Sequence, residues 1–444
     1  MSYQGGRIKL ALSGGGFRAT LFHLGVVRFL HEAGALKSVE LVSAVSGGSI
    51  LAAHLVLFWK KYTESNDSFD EVAHHVIKFV QQDIRGSVVR DWITYWAVLF
   101  PHLVPKIPRP TLGNLLQRKY NAGLYQGARI GEVPTADHPE VRLNCTSLTT
   151  GFPCYFNQSG FTWSDKNRKR KQIRASDVPL AYAVAASSAF PPLFPPIEIS
   201  NQILSCNQDD FPNVLRLTDG GVYDNLGIES LDLGPPKGVE NVIISDAEGN
   251  FDSNFSARYS FVVGRNVRAN DILMKQVSTR RLKDLDASGV SYARVKIGGA
   301  IGNPDECANL TPDLQRALIN VRTDLDRFLP HEITALIAHG YNKARRALID
   351  KGMVSDDALK FTWDPLRNCE ELKLPGASTE FEGSNISKWK LWSPLDPKSW
   401  VTAIWIFVSA PILIALGNQW MQRATGFSLN TLLVPWYRLY DILK

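Results

Sequence analysis

Cysteine is scarce in this sequence. There are five among 444 residues (Cys145, Cys154, Cys206, Cys307, Cys369), with no paired spacing and no grouping with histidine. That excludes a disulfide framework and a zinc site, and implies free thiols in a reducing compartment. Strong charge imbalance is also missing. A net charge of +6 is too small to call for nucleic acid, yet suits an anionic membrane surface. The N-terminal stretch MSYQGGRIKLALSGGG has no apolar run long enough for a signal peptide. No Gly-Lys-Ser/Thr follows its glycine triplet, and the G-x-G-x-x-G spacing is absent there. A nucleotide-phosphate loop is therefore not indicated.

What is present begins as an alternation of strand and helix patterns. Residues 7–13 (RIKLALS) read as a buried strand entering Gly14, Gly15 and Gly16. Helical spacing follows over 20–36, then a strand over 39–45 and a helix over 48–59. This order predicts a parallel sheet covered by helices. Further strand-like runs lie at 142–148, 155–161, 242–245 and 293–297, and a helix over 333–341 closes near Gly340. Residues 167–171 (NRKRK) read as a basic loop, either simply solvated or touching lipid headgroups. Residues 83–125 form a looser apolar and aromatic insertion. Within it, 92–104 is either a lid that meets the bilayer or plain core.

The tail has a different character. Residues 399–422 include no charged side chain, and 400–416 (WVTAIWIFVSAPILIAL) are nearly all apolar. At about 1.5 Å per residue this run almost covers a bilayer core of about 30 Å. Lys388, Lys390 and Lys398 precede it and Arg423 follows, which favours a cytosolic N-terminal side. Burial in an interface, including that of a homo-oligomer, is the competing reading.

Chemistry concentrates at three places. Ala44-Val45-Ser46-Gly47-Gly48 lies between a strand and a helix, as a nucleophile elbow does. A serine there is aimed by the turn and faces the positive end of the next helix; an ordinary turn is the alternative. The amides of Gly14, Gly15 and Gly16, together with that of Gly47, could converge on an oxyanion because no side chain intervenes. Arg18 would sit in the first helical turn, where it could hold that loop or meet a phosphate; support of the loop is the role the resemblance described below implies. Asp219, in Thr218-Asp219-Gly220-Gly221, is the candidate base, with a tight turn as the alternative. Gly48, Gly220 and Gly221 supply the room these turns need. No histidine is obviously poised: His54 should pack on an apolar helix and His339 should cap one. A Ser/Asp pair explains the chain better than a triad completed by His331 or His339. It needs no metal and no cofactor.

These pieces resemble the patatin-like phospholipase family. The resemblance rests on LALSGGGFRA (10–19), SAVSGGS (43–49), AASSAFPPLFPP (185–196) and DGGVYDNLG (219–227), in that order. TDLDRF (323–328) and His339-Gly340-Tyr341 add to it. Ala44 stands where the elbow commonly has glycine, and Ala19 where glycine often follows the arginine. The resemblance implies a three-layer α/β/α fold with a mostly parallel sheet, here expected to carry a C-terminal hydrophobic helix. It implies a lipid acyl hydrolase with Ser46 as nucleophile and Asp219 as base, the latter expected to be ionised at neutral pH. Membrane phospholipids would be its substrates. The expected organisation is a catalytic domain over 1–345, a linker over 346–398 and a tail over 399–444, at the cytoplasmic face of a membrane. A silent membrane-attached scaffold, and an acyltransferase or thioesterase with the same dyad, are the rival readings.

Overall fold

Strand β1 (Arg7–Leu12) is alternately and then fully buried, and at its end the chain enters three glycines. In the computed structural model the described residues are 3–355, except 4, 96–109, 166, 192, 212–213, 234–239, 250–261 and 302–309, together with 381, 384, 396, 397, 399, 400, 403, 404 and 419. They divide into two compact units, residues 1–85 with 111–388 and residues 86–110 with 389–444.

The first unit is built on one sheet. Among the described residues of the whole chain the helices are α1 (Gly16–Glu32), α2 (Gly47–Leu57), α3 (Trp59–Glu64), α4 (Asn66–Val80), α5 (Ile84–Thr94), α6 (Leu112–Tyr120), α7 (Leu180–Ser187), α8 (Asn201–Leu204), α9 (Gly221–Asp224), α10 (Val262–Ala287), α11 (Pro312–Ala317) and α12 (Pro330–Asp350), of which α5 lies mostly in the second unit. The remaining strands are β2 (Val39–Val45), β3 (Glu140–Ser147), β4 (Pro153–Asn157), β5 (Gly160–Ser164), β6 (Arg170–Ile173), β7 (Ile197–Ile199), β8 (Leu215–Asp219), β9 (Glu240–Asp246) and β10 (Tyr292–Lys296). Their order is β10-β9-β1-β2-β3-β4-β5-β6, with β8 joined to both β3 and β7. The five strands from β10 to β3 are mutually parallel, and the rest pair antiparallel. This is the mixed α/β architecture expected, with a mostly parallel central sheet flanked by helices.

Helix α1 is buried along nearly its whole length, because it is packed between the sheet and α12. Two glycines allow that approach. A β-carbon on Gly25 would stand 2.0 Å from the Ile337 carbonyl oxygen, and one on Gly340 would stand 2.0 Å from that of Phe22. Gly340 therefore marks a helix crossing, and the expected helix end there is corrected: α12 continues to Asp350. His339 is accordingly a mid-helix residue. It donates from Nε2 to the Ile297 carbonyl (2.7 Å).

Other local expectations also shift. The strand pattern at 155–161 is a hairpin, β4 and β5, that turns at Gln158 and Ser159. Arg170 and Lys171 of the basic run belong to the edge strand β6, where Arg170 meets Asp232 (3.2 Å) and Lys171 meets Asp165 (3.7 Å). Charged side chains on an edge discourage pairing with another chain. Helix α10 had no counterpart in the sequence reading. Its apolar residues do not all face inward: Leu273 is 59% exposed. Cys145 and Cys154 lie directly opposite each other on β3 and β4 as free thiols.

In the second unit Arg90 Nε donates to Asp396 Oδ2 (2.6 Å) and the Ser399 amide to the Asp396 carbonyl (2.9 Å). Among the described residues no helix is long and apolar enough to cross a membrane. Most of the 400–417 run and of the 92–104 segment lies outside the described residues, as does most of the 346–398 stretch beyond 355.

Candidate active site

The register of β3 brings the two candidate groups together. Val45, the last residue of β2, pairs with Asn144, and the next residue of β3, Cys145, pairs with Asp219 at the end of β8. Strand β8 thus takes over the edge of β3 just where β2 ends. Ser46 leaves β2 at that point. The juxtaposition is a consequence of strand order, at the carboxyl ends of the parallel strands where open α/β sheets place their sites.

Ser46 occupies a backbone conformation that L-residues rarely adopt, φ 51° and ψ −117°. Such strain persists only where surrounding structure enforces it. The Ser46 carbonyl starts α2 by accepting from the Ile50 amide (3.2 Å). Its own amide donates to Ser187 Oγ (3.1 Å). The start of α2 is pressed onto the glycine loop. A β-carbon on Gly48 would stand 2.4 Å from the Leu12 carbonyl oxygen. Thr20 Oγ1 donates to the Gly47 carbonyl (2.8 Å).

Asp219 is 1% exposed. The Gly221 amide donates to its Oδ1 (2.7 Å). Among the described residues Oδ2 has no hydrogen-bond partner, and the nearby Ser46 hydroxyl acts to favour the charged form of the carboxyl. Burial outweighs both hydrogen bonds and pushes the carboxyl up to about 7. The expectation of a fully ionised base at neutral pH is thereby corrected: near pH 7 the group is poised between its two forms. The backbone around it is fixed by Thr146 Oγ1, which donates to the Asp219 carbonyl (3.0 Å). A β-carbon on Gly220 would stand 2.4 Å from the Asn144 carbonyl oxygen, so this turn admits only glycine there.

The glycine loop divides in its roles. Gly14 donates its amide to the Asn225 carbonyl (3.0 Å), so it is not available to an oxyanion as expected. The amides of Gly15, Gly16 and Gly47 have no acceptor among the described residues. Gly15 (φ 135°) and Gly16 (φ 54°) take left-handed conformations, which only glycine enters cheaply. Arg18 is buried and laces the loop to its surroundings. Its guanidinium donates to the carbonyls of Ile319, Val321 and Ala247, each at 2.8 Å. Burial lowers its pKa to about 10 against the pull of Asp246 and Glu248, and it stays charged.

Among the described residues no histidine joins the pair. His54 packs in the core with Nδ1 on Tyr62 Oη (2.9 Å), and burial lowers it to about 3. His23 donates from Nε2 to the Ser13 carbonyl (2.9 Å) and is lowered to about 4 by burial. His339 is held by Ile297 as described, and His331 stacks edge-on against Phe381 (5.6 Å).

The weaker motifs acquire physical roles. TDLDRF backs the glycine loop: the Asp324 carbonyl accepts from the Phe17 amide (3.0 Å), and Thr323 closes on Gly16 so that a β-carbon there would stand 2.8 Å from it. Asp324 in turn pairs with Arg85. Two polar residues escaped the sequence reading. Asn144 donates from Nδ2 to Ser43 Oγ and to the Ala44 carbonyl (both 2.9 Å). Asn225 fills the space that side chains on Gly14 and Gly221 would need, and donates to Glu248 Oε1 (3.0 Å). Asn225 stands within a motif already quoted, whereas nothing near Asn144 marks it.

The patatin-like phospholipase family model matches residues 10–232. Curated protein sequences gave no match. Among solved structures, human GIVD cytosolic phospholipase A2 is similar, with a TM-score of 0.47 and 12% identity over 82% of this chain and 62% of that one. The same enzyme in complex with methyl gamma-linolenyl fluorophosphonate gives 0.45 and 12%, over 83% and 60%. VipD from Legionella pneumophila gives 0.30 and 14%, over 78% and 67%. The chain thus spans less than two thirds of the length of the phospholipase A2 it resembles. With the family's model aligned over half of its length, and the four motifs in order, the chain belongs to the patatin-like phospholipase family.

Proposed function

We propose that this chain is a serine lipid acyl hydrolase that cleaves fatty acyl esters of membrane phospholipids. One observation carries the reading: Ser46 is held at a strained strand-to-helix turn where β2 ends on β3, and the buried Asp219 ends β8 at the next position of the same strand. In this mechanism Asp219 takes the hydroxyl proton as Ser46 Oγ attacks the ester carbonyl. The amides of Gly15, Gly16 and Gly47 receive the oxyanion, and each such donor is typically worth about 3 kcal/mol of barrier. Asp219 returns the proton to the departing lysolipid, leaving an acyl-Ser46 ester. It then deprotonates the water that releases the fatty acid. A base near 7 suits this work, since it is both available and proton-accepting at neutral pH. Residues 400–417 would anchor the chain at the cytoplasmic face of a membrane.

The test compares wild-type protein and Ser46→Ala on mixed-phospholipid liposomes, with products identified by mass spectrometry. Fatty acid and lysophospholipid should form with wild type alone. Equal product from both proteins would overturn the assignment of Ser46. Products that carry an added alcohol acceptor would instead point to acyl transfer.

A further inference from the structure

We infer that Ser187 is a positioning residue that keeps the nucleophile and the base in register. The inference rests on the roles proposed for Ser46 and Asp219. Ser187 is the last residue of α7 and is fully buried. Its Oγ lies 2.6 Å from the Asn144 carbonyl oxygen, 2.8 Å from Ser49 Oγ and 3.1 Å from the Ser46 amide. A hydroxyl has one proton and two lone pairs. The carbonyl can only accept, so the proton goes to Asn144. Both lone pairs then receive donors, from the Ser46 N–H and the Ser49 O–H. Every hydrogen-bonding capacity of Ser187 is used, and each direction is fixed by its partners.

The same short segment holds the other half of the pair. The Ser187 carbonyl accepts from the Gly220 amide (3.3 Å), and the Ala189 carbonyl accepts from the Asp219 amide (3.2 Å). The amides of Ser46, Asp219 and Gly220 are therefore all tied to residues 187–189. Asn144, which receives the Ser187 proton, is also the β3 residue paired with Val45. Ser187 thus closes a ring that runs from the elbow through β3 to the base turn. Without its hydroxyl the strained Ser46 backbone loses the acceptor of its amide. The turn can then relax, carrying Oγ away from Asp219. A misplacement of about 1 Å can cost about a hundredfold in rate.

The experiment measures kcat, KM and the pH dependence of kcat for wild type, Ser46→Ala, Ser187→Ala and Ser187→Cys, with thermal melts on each. Ser187→Ala should lose about a hundredfold in kcat with KM within about twofold. Its acidic limb should move to higher pH, because the Ser46 hydroxyl no longer favours the ionised carboxylate. Ser187→Cys keeps a weak donor and acceptor, and should fall between the two. Wild-type kcat in either folded variant overturns the inference. So does a loss of kcat that tracks thermal destabilisation with an unmoved pH profile. Should Ser187→Ala fail to fold, Ser187→Cys decides by the same criteria. Failure of the underlying reading is seen separately, as full activity of Ser46→Ala, and it overturns both.

Discussion

Gly47 lies so close to Gly16 that a β-carbon on Gly47 would stand 2.0 Å from the Gly16 carbonyl oxygen and 2.8 Å from its nitrogen. The elbow and the glycine loop are thus in backbone contact. Gly47 has ordinary helical geometry, so alanine fits its backbone conformation but not its surroundings. We expect Gly47→Ala to push the two loops apart. Overpacking of this kind costs about 1–3 kcal/mol of stability, while the displaced donors should cost about a hundredfold or more in kcat/KM. Ester hydrolysis alongside thermal denaturation checks this, and near-normal turnover would rule out the amides of Gly15, Gly16 and Gly47 as the oxyanion donors.

Asp219 gives a pH signature in both activity and stability. In the proposed mechanism the carboxyl acts as base only when ionised, so activity should rise with pH and reach half its plateau near 7. Stability should move the other way. The folded pKa is raised above the unfolded value, so the folded state holds the proton more tightly. The contribution to stability is fully present below about pH 4 and is lost as pH rises through 7. Asp219→Asn removes the buried charge at the cost of activity. Its stability advantage should be absent at pH 4, grow between 4 and 7, and level off at a magnitude of order 4 kcal/mol. Denaturation curves of both proteins at pH 4 and pH 8 test this. A constant difference across that range would contradict the raised pKa.

Much of this was legible in the sequence, for identifiable reasons. The bounds of β2 match the strand read over 39–45 because five of its seven residues are apolar, as befits a strand buried at six of its seven positions. Ser46, Asp219 and the glycines could be singled out in the sequence because turns this tight restrict residue type. Ser46 and Asp219 were paired from residue type and by elimination of a poised histidine, but the way they meet was not legible, because it depends on β8 taking the edge of β3 where β2 ends, a non-local register that no local pattern encodes. Gly14 was misassigned because an amide's availability depends on what opposes it, here the Asn225 carbonyl. Gly340 misled in a similar way: glycine at a helix crossing has the same local signature as glycine at a helix end. Helix α10 was missed because its apolar positions do not form one stripe.

The crossing of α1 and α12 makes Gly340 sensitive to substitution despite its place inside a helix. In an exposed helix, glycine to alanine would gain about 1 kcal/mol. Here the new β-carbon would meet the Phe22 carbonyl oxygen at 2.0 Å, and α12 would have to move off α1. We expect Gly340→Ala to destabilise the protein by about 1–3 kcal/mol, read as a lower melting temperature. A stabilised variant would show that the two helices are farther apart in solution.

Arg18 should prove a support for the glycine loop rather than a group that meets substrate. Its side chain is 4% exposed and is spent on three carbonyls. Arg18→Lys keeps the charge but not the planar fork that spans Ala247 and Ile319. Each buried carbonyl left without a donor costs about 1–3 kcal/mol. Arg18→Lys should therefore lower both melting temperature and kcat, with KM for a soluble ester nearly unchanged. A selective rise in KM at full stability would assign Arg18 to the substrate instead.

The proposed membrane anchor and the proposed catalytic residues lie in different parts of the sequence. Ser46, Asp219, the glycine loop and Ser187 all lie well before residue 398, and the chain from 399 to 422 bears no charge. Deletion after Lys398 should therefore leave turnover of a soluble ester largely intact. Association with membranes should fall sharply, because a nearly all-apolar stretch of 17 residues is removed together with about 0.8 kcal/mol for each buried methylene-sized group. Flotation of full-length and shortened protein with phosphatidylglycerol-containing liposomes reads this directly. Equal flotation of the two would transfer the tail to an interface between copies of the chain, which the oligomeric state of the shortened protein would then reveal.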